Sequence, residues 1–162
     1  SADRRLWFFD LQAKALLLSE YVAHGRGSGG NYARIFSNHE GSLQSSLGLF
    51  GTAERYIGIH GASLRLDGLE PGINDQARAR AIVVHGAEYV DPQLNMIQGR
   101  IGRSHGCPAV RTEVVNAVID ALEGGQMLYA YYQDQSKPAK KSSVIEAEGL
   151  GQSALLSCEV RH

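Results

Sequence analysis

Aliphatic and aromatic side chains dominate Leu6 to Leu11 and again Ala15 to Ala23, with only Gln12-Ala13-Lys14 between them. Two apolar runs parted by so short a polar break predict antiparallel strands joined as a hairpin. From His24 to Gly48 neither a strand nor a helix period persists; Gly25, Gly27, Gly29, Gly30 and Gly41 interrupt it, and the stretch reads as a long surface segment. Alternation returns over Arg55–His60, which predicts a strand, and Asn74 is placed to cap a short helix running to Ala81. Ala81–His85 is a β-branched run ending in a polar residue, so His60 and His85 both fall at strand ends. Gly86 to Pro108 reads as loop. Val115, Val118, Ile119 and Leu122 then repeat at helical spacing behind a Thr112 cap and ahead of Gly124 and Gly125, and Gln126–Tyr132 predicts a last strand.

The sum is an α+β, β-rich chain with two helices and no internal repeat, which fits a sandwich or barrel. Lys137-Pro138-Ala139-Lys140-Lys141-Ser142-Ser143 is a basic spacer, and the residues after it carry only weak periodicity. A division follows into one domain over 1–136 and a spacer with an unassigned tail over 137–162.

Composition adjusts this picture in three places. Glycine at 19 of 162 residues against 4 prolines indicates many tight turns without a linker repeat. A formal charge of -1 leaves no net basic field, so neither nucleic acid nor an anionic membrane is expected as a partner. The longest apolar runs, such as Ala15–Leu18 and Ala81–Val84, fall far short of the roughly 20 residues that span a bilayer. Ser1-Ala2-Asp3-Arg4-Arg5 lacks the basic and apolar regions of an export signal, which suits a cytosolic protein or a trimmed exported one.

Candidate chemistry concentrates in Gly102-Arg103-Ser104-His105-Gly106-Cys107-Pro108-Ala109. A cysteine among glycine, hydroxyl, imidazole and guanidinium groups sits in surroundings expected to favour the thiolate. Gly106 permits a turn that aims the amides of Gly106 and Cys107 at a developing oxyanion, and Pro108 stiffens the chain beyond it. A nucleophilic thiol also needs a base: His85, ending a strand 22 positions earlier, is preferred, and His105 competes. Cys107 and Cys158 stand in unlike contexts, so Cys107 is expected to be a free thiol.

Three rival patterns cross the same text. Gly102-Arg103-Ser104-His105-Gly106 matches G-x-S-x-G, but that elbow wants a helix directly after it and an acid then a histidine downstream, and His162 is the one histidine that follows. Gly25-Arg26-Gly27-Ser28-Gly29-Gly30 matches G-x-G-x-x-G without a following helix to hold a pyrophosphate. His60, His85, His105 and Cys107 are ligand types zinc uses, at spacings that match no compact zinc signature.

Ser104-His105-Gly106-Cys107, with His60-Gly61-Ala62-Ser63-Leu64-Arg65-Leu66 and Ala81-Ile82-Val83-Val84-His85-Gly86-Ala87 upstream, resembles the YkuD-type L,D-transpeptidases, in the murein L,D-transpeptidase catalytic-domain branch. The likeness runs from about Leu6 to about Tyr132. The larger branch carries a hydrophobic residue and then Asn or Arg after the cysteine; here Pro108 and Ala109 follow, and Arg111 comes later. The S-x-G-C-x-A form resembles enzymes able to join stem position one to diaminopimelate at position three instead of linking two position-three residues.

The resemblance implies a YkuD-like β-sandwich or barrel, Cys107 as nucleophile, His85 as proton carrier and the amides around Gly106 as oxyanion donors. Ser104 and His105 would support the nucleophile loop, and Arg103, His60 and Tyr89 would contact substrate. It implies neither metal nor organic cofactor, donor and acceptor peptidoglycan stem peptides as partners together with free D-amino acids, and a periplasmic address after export. A non-catalytic peptidoglycan-binding module and a cysteine carboxypeptidase or endopeptidase with water as acceptor are the competing readings.

Overall fold

The computed structural model describes residues 3–133 and the strand at 154–160. Eight strands form one sheet: β1 (Leu6–Asp10), β2 (Ala15–Glu20), β3 (Gly48–Gly58), β4 (Gly61–Gly68), β5 (Val83–Gly86), β6 (Ala109–Val110), β7 (Met127–Tyr132) and β8 (Ala154–Val160). Their spatial order is β2-β1-β8-β7-β3-β4-β5-β6. Two helices complete the fold, α1 (Pro92–Gln98) and α2 (Val115–Leu122). This is the α+β, β-rich YkuD-like architecture expected of the sequence.

The apolar runs at the start do pair as an antiparallel hairpin, Leu6 opposite Glu20 and Asp10 opposite Ala15. Between β3 and β4 the chain turns at Ile59-His60, so His60 lies in the turn and not on a strand. β4 pairs antiparallel with β5, Ser63 opposite His85, and β5 pairs parallel with the two-residue β6, His85 opposite Ala109. All four residues of β5 are buried, as a short continuous apolar run covered on both faces requires.

The helix α2 presents Val115, Val118, Ile119 and Leu122 to one side and packs on β4 and β5. These residues join Leu6, Phe8, Val22, Phe50, Leu64, Leu66, Ile82, Val84, Val110 and Leu128 in the main core. A bond from Thr52 Oγ1 to the Leu122 carbonyl, 2.5 Å, satisfies one of the orphan acceptors at the end of α2 and ties it to β3.

Four expectations need correction. Residues 71–81 form successive turns and not a helix, because the Asn74 side chain is used elsewhere. Wholly buried, Asn74 donates to the carbonyls of Leu47 and Leu49 at 3.0 and 2.9 Å and accepts from the Glu70 amide at 2.9 Å, binding the turns to β3. Secondly, α1 interrupts the expected loop, capped by the Asp91 carboxylate on the Gln93 amide, with Pro92 in its first turn and Gly99 in the left-handed conformation beyond it. Thirdly, α2 begins at Val115 with no side-chain cap, two to three residues past the expected Thr112 cap. Lastly, the expected tail supplies β8, which lies between β1 and β7, antiparallel to the first and parallel to the second. The basic spacer at 137–143 lies outside the described residues.

Candidate active site

The loop carrying Cys107 is held from behind by the glycine-rich segment. The Ser104 amide donates to the His24 carbonyl at 2.9 Å, the Arg26 amide to the Ser104 carbonyl at 2.8 Å, and Ala23 and Ala109 exchange bonds of 2.8 and 3.4 Å. Ser45 works from both ends: its hydroxyl accepts from the Gly25 amide at 3.0 Å and donates to the Gly106 carbonyl at 3.2 Å, while its amide donates to Ser28 Oγ at 2.9 Å. The expected long surface segment is therefore a buttress, with His24, Gly25, Ser28, Ala33 and Ser46 buried. Glycine is required at 25 by close approach, since a Cβ there would lie 2.4 Å from the Leu43 carbonyl oxygen and 2.8 Å from Gly106 Cα.

Within the loop, Ser104 is the hub. Its hydroxyl donates to the Cys107 carbonyl at 2.6 Å and accepts from the Gly106 amide at 3.1 Å, while Gly106 takes φ +128. The Gly106 N–H, expected to face an oxyanion, is thus committed to Ser104, which leaves the Cys107 amide as the donor of that pair without a protein partner among the described residues. The same bonds make the Ser104 hydroxyl a brace and remove it as the nucleophile of a G-x-S-x-G elbow. Arg103 donates through Nη1 to the Gly29 carbonyl at 2.7 Å, so at least one arm of its guanidinium secures the loop. His105 is exposed. Arg111 grips the buried Glu20 carboxylate at 2.6 and 3.0 Å.

Cys107 is a free, half-buried thiol. Its sulfur rests on the backbone entering β5, with Sγ donating to the Ala81 carbonyl at 3.7 Å and accepting from the Val83 amide. Ala81 adopts φ +52, a left-handed conformation uncommon outside glycine, where the chain turns into the strand beneath the sulfur. Burial pushes the thiol above its ordinary value, opposed by the Val83 amide and the Arg80 charge. The expectation of thiolate-favouring surroundings is corrected accordingly: desolvation outweighs the polar neighbours, and the resting form at neutral pH is the thiol.

His85 is buried, and its Nδ1 lies 2.9 Å from the Gly86 carbonyl. A carbonyl only accepts, so Nδ1 carries the hydrogen and Nε2 keeps its lone pair. Burial lowers the pKa of the ring and the neighbouring His60 lowers it further, outweighing the Gly86 bond, so the imidazole is neutral and fit to accept a proton. The exposed His60 stacks on it, centroids 4.4 Å apart and planes at 22°. Val83 and His85 project from the same face of β5, about 7 Å apart along the strand, so ring and sulfur share one stretch of backbone. Tyr89 packs under Gly102, and burial together with the nearby sulfur pushes its phenol up to about 12.

Sequence reasoning missed Arg80. Its guanidinium donates to the carbonyls of Ser37 and Gln44, both at 2.7 Å, and to the hydroxyls of Ser46 and Ser42 at 2.6 and 3.2 Å. Nη2 lies 3.5 Å from where a Cβ on Gly106 would stand. Arg78 and Arg80 alternate on an irregular turn, and nothing in the text says which of them faces inward. Among the described residues no three of His, Cys, Asp and Glu are grouped to hold a metal ion, so the zinc pattern finds no ligand set there.

A family model of the L,D-transpeptidase catalytic domain matches residues 1–131, four-fifths of the chain. The chain belongs to the YkuD-type L,D-transpeptidase family. No curated protein matches it. The family acts on peptidoglycan. The match ends inside β7, and no helix among the described residues is long and apolar enough to cross a membrane.

Proposed function

We propose that this L,D-transpeptidase acylates Cys107 with a peptidoglycan stem peptide and passes the acyl group to an amine. His85 Nε2 takes the thiol proton as Sγ attacks the carbonyl of the L-centre residue. The oxyanion that forms is met by the Cys107 amide, the donor left unbonded within the loop. Collapse expels the amine of the D-residue, which receives the proton from His85 and leaves a thioester on Cys107. An amine from a second stem or a free D-amino acid attacks the thioester, giving up its proton through His85 and regenerating the thiol. Exposed on the His85 ring, His60 flanks the substrate channel with Tyr89; Arg103 contributes through whatever its Gly29 bond leaves free. The site of action is the periplasm.

What supports this reading is a half-buried free thiol seated on the backbone entering β5, the strand that also carries a buried His85 whose Nδ1 is held by the Gly86 carbonyl, leaving Nε2 to take a proton. Two groups poised in these forms need one proton transfer to become nucleophile and conjugate acid. Incubation with disaccharide-tetrapeptide, followed by mass spectrometry, should show the acyl-enzyme together with crosslinked dimer or D-amino-acid exchange. Cys107→Ser should lose all three. Unchanged products in that variant would remove the reading, and hydrolysed stem alone would make water the acceptor.

A further inference from the structure

Resting on that reading, we propose that Arg80 is a positioning residue of the acyl-transfer site: clamped behind the nucleophile loop, it supplies the fixed positive charge against which the Cys107 sulfur ionises as its proton departs.

Two observations carry this. The first is what Arg80 binds. The arginines that meet a carboxylate are Arg55 with Asp120 and Glu123, Arg65 with Glu54, Arg78 with Glu54 and Asp67, and Arg111 with Glu20. Arg80 is half-buried and touches two carbonyls and two hydroxyls, all neutral, with no carboxylate partner among the described residues. Neutral donors would knit the 37–46 segment equally well. A guanidinium that stays ionised while partly withdrawn from water, with no counter-charge, leaves its field to whatever anion forms nearby.

The second observation is position. Arg80 immediately precedes Ala81, whose carbonyl receives the thiol hydrogen, and its Nη2 lies against Gly106, the residue before the nucleophile. Its charge and the Cys107 sulfur are electrostatically coupled. The other titratable groups around the sulfur are Tyr89, His85 one step along β5, and His105 in the loop. Tyr89 is neutral at working pH, and His85 becomes cationic only after taking the proton, so Arg80 is the charge in place beforehand. The four bonds fix where that charge sits, so the site needs no reorganisation when the thiolate forms.

The test is the pH profile of Cys107 alkylation by iodoacetamide, a neutral probe, read at that cysteine by peptide mass mapping on the full chain. Arg80→Gln removes the charge and keeps a donor. Ser42→Asp keeps the guanidinium and sets a carboxylate against Nη2. Both should move the profile to higher pH and slow alkylation at neutral pH roughly tenfold, whereas Arg80→Lys should stay within about threefold of the parent. A folded Arg80→Gln or Ser42→Asp variant whose profile overlays the parent's would overturn the proposal. If Arg80→Gln does not fold, Ser42→Asp decides alone. Alkylation reads the thiol whatever the enzyme does to stem peptide, so shifted profiles in a parent lacking transpeptidation would sink the proposed function and leave the charge relation standing. Unshifted profiles in an active parent would do the reverse.

Discussion

The support behind the Cys107 loop and the stretch formed by α1 with the β3–β4 turn are built on opposite principles. Behind the loop, Gly25, Ser28, Ser45 and Arg80 reach it or its support through backbone and hydroxyl bonds, in a layer with fully buried members. Over α1 and the β3–β4 turn packing is sparse: α1 buries no residue, Met96 and Ile97 are 86% and 83% exposed, and Ile59 is 97% exposed. Dense bonding behind the loop fixes where the sulfur sits, and the exposed side chains of α1 and the β3–β4 turn carry no comparable precision. The chain thus concentrates precision on one atom and its immediate supports.

Substitutions can break or sharpen this contrast. The largest effect belongs to the pair held by the rear wall and β5: His85→Gln should slow acylation about 10²–10⁴-fold. The parent's acid limb provides the check. Because burial and His60 hold His85 below the ordinary imidazole value, the free base persists to lower pH, and kcat/KM should fall only below about pH 6.5. His85→Gln should erase that limb; a retained limb would assign it to another group.

Next is Gly25→Ala, whose methyl would meet backbone atoms at 2.4 and 2.8 Å that cannot swing aside. Urea unfolding should show a loss of about 1–3 kcal/mol, with slower acylation because the strain falls on Gly106. Smallest is Met96→Ser combined with Ile97→Ser on α1, where stability should change by less than about 0.5 kcal/mol per site. An α1 variant as damaging as Gly25→Ala would abolish the distinction.

Period and composition made much of this fold legible. The β1–β2 hairpin, β5 with its histidine, α2 and β7 follow from apolar spacing, and the cysteine loop stands out by its residue types alone. β4 escaped because Ala62-Ser63-Leu64-Arg65-Leu66 follows a turn of only two residues, so it reads as the tail of the preceding strand. The signal for α1 was present in Asp91, Pro92 and Gly99, a capping pattern with no buried face to reinforce it. The buttress was illegible for a deeper reason. Glycine and serine announce only that the backbone is unobstructed, and whether it then faces water or another strand is decided by long-range contacts such as that of Gly25 with Ser104. Long-range placement also decided Asn74 and Arg80, whose distant partners lie 25 to 43 positions away.

The seat of the sulfur on the Ala81–Val83 backbone bears on how such an enzyme survives between turnovers. Peroxide and other oxidants attack the ionised form of cysteine, and the first product, a sulfenic acid, leads on to species that no longer react with a carbonyl. A sulfur that idles as the neutral thiol presents little of the vulnerable form to such oxidants.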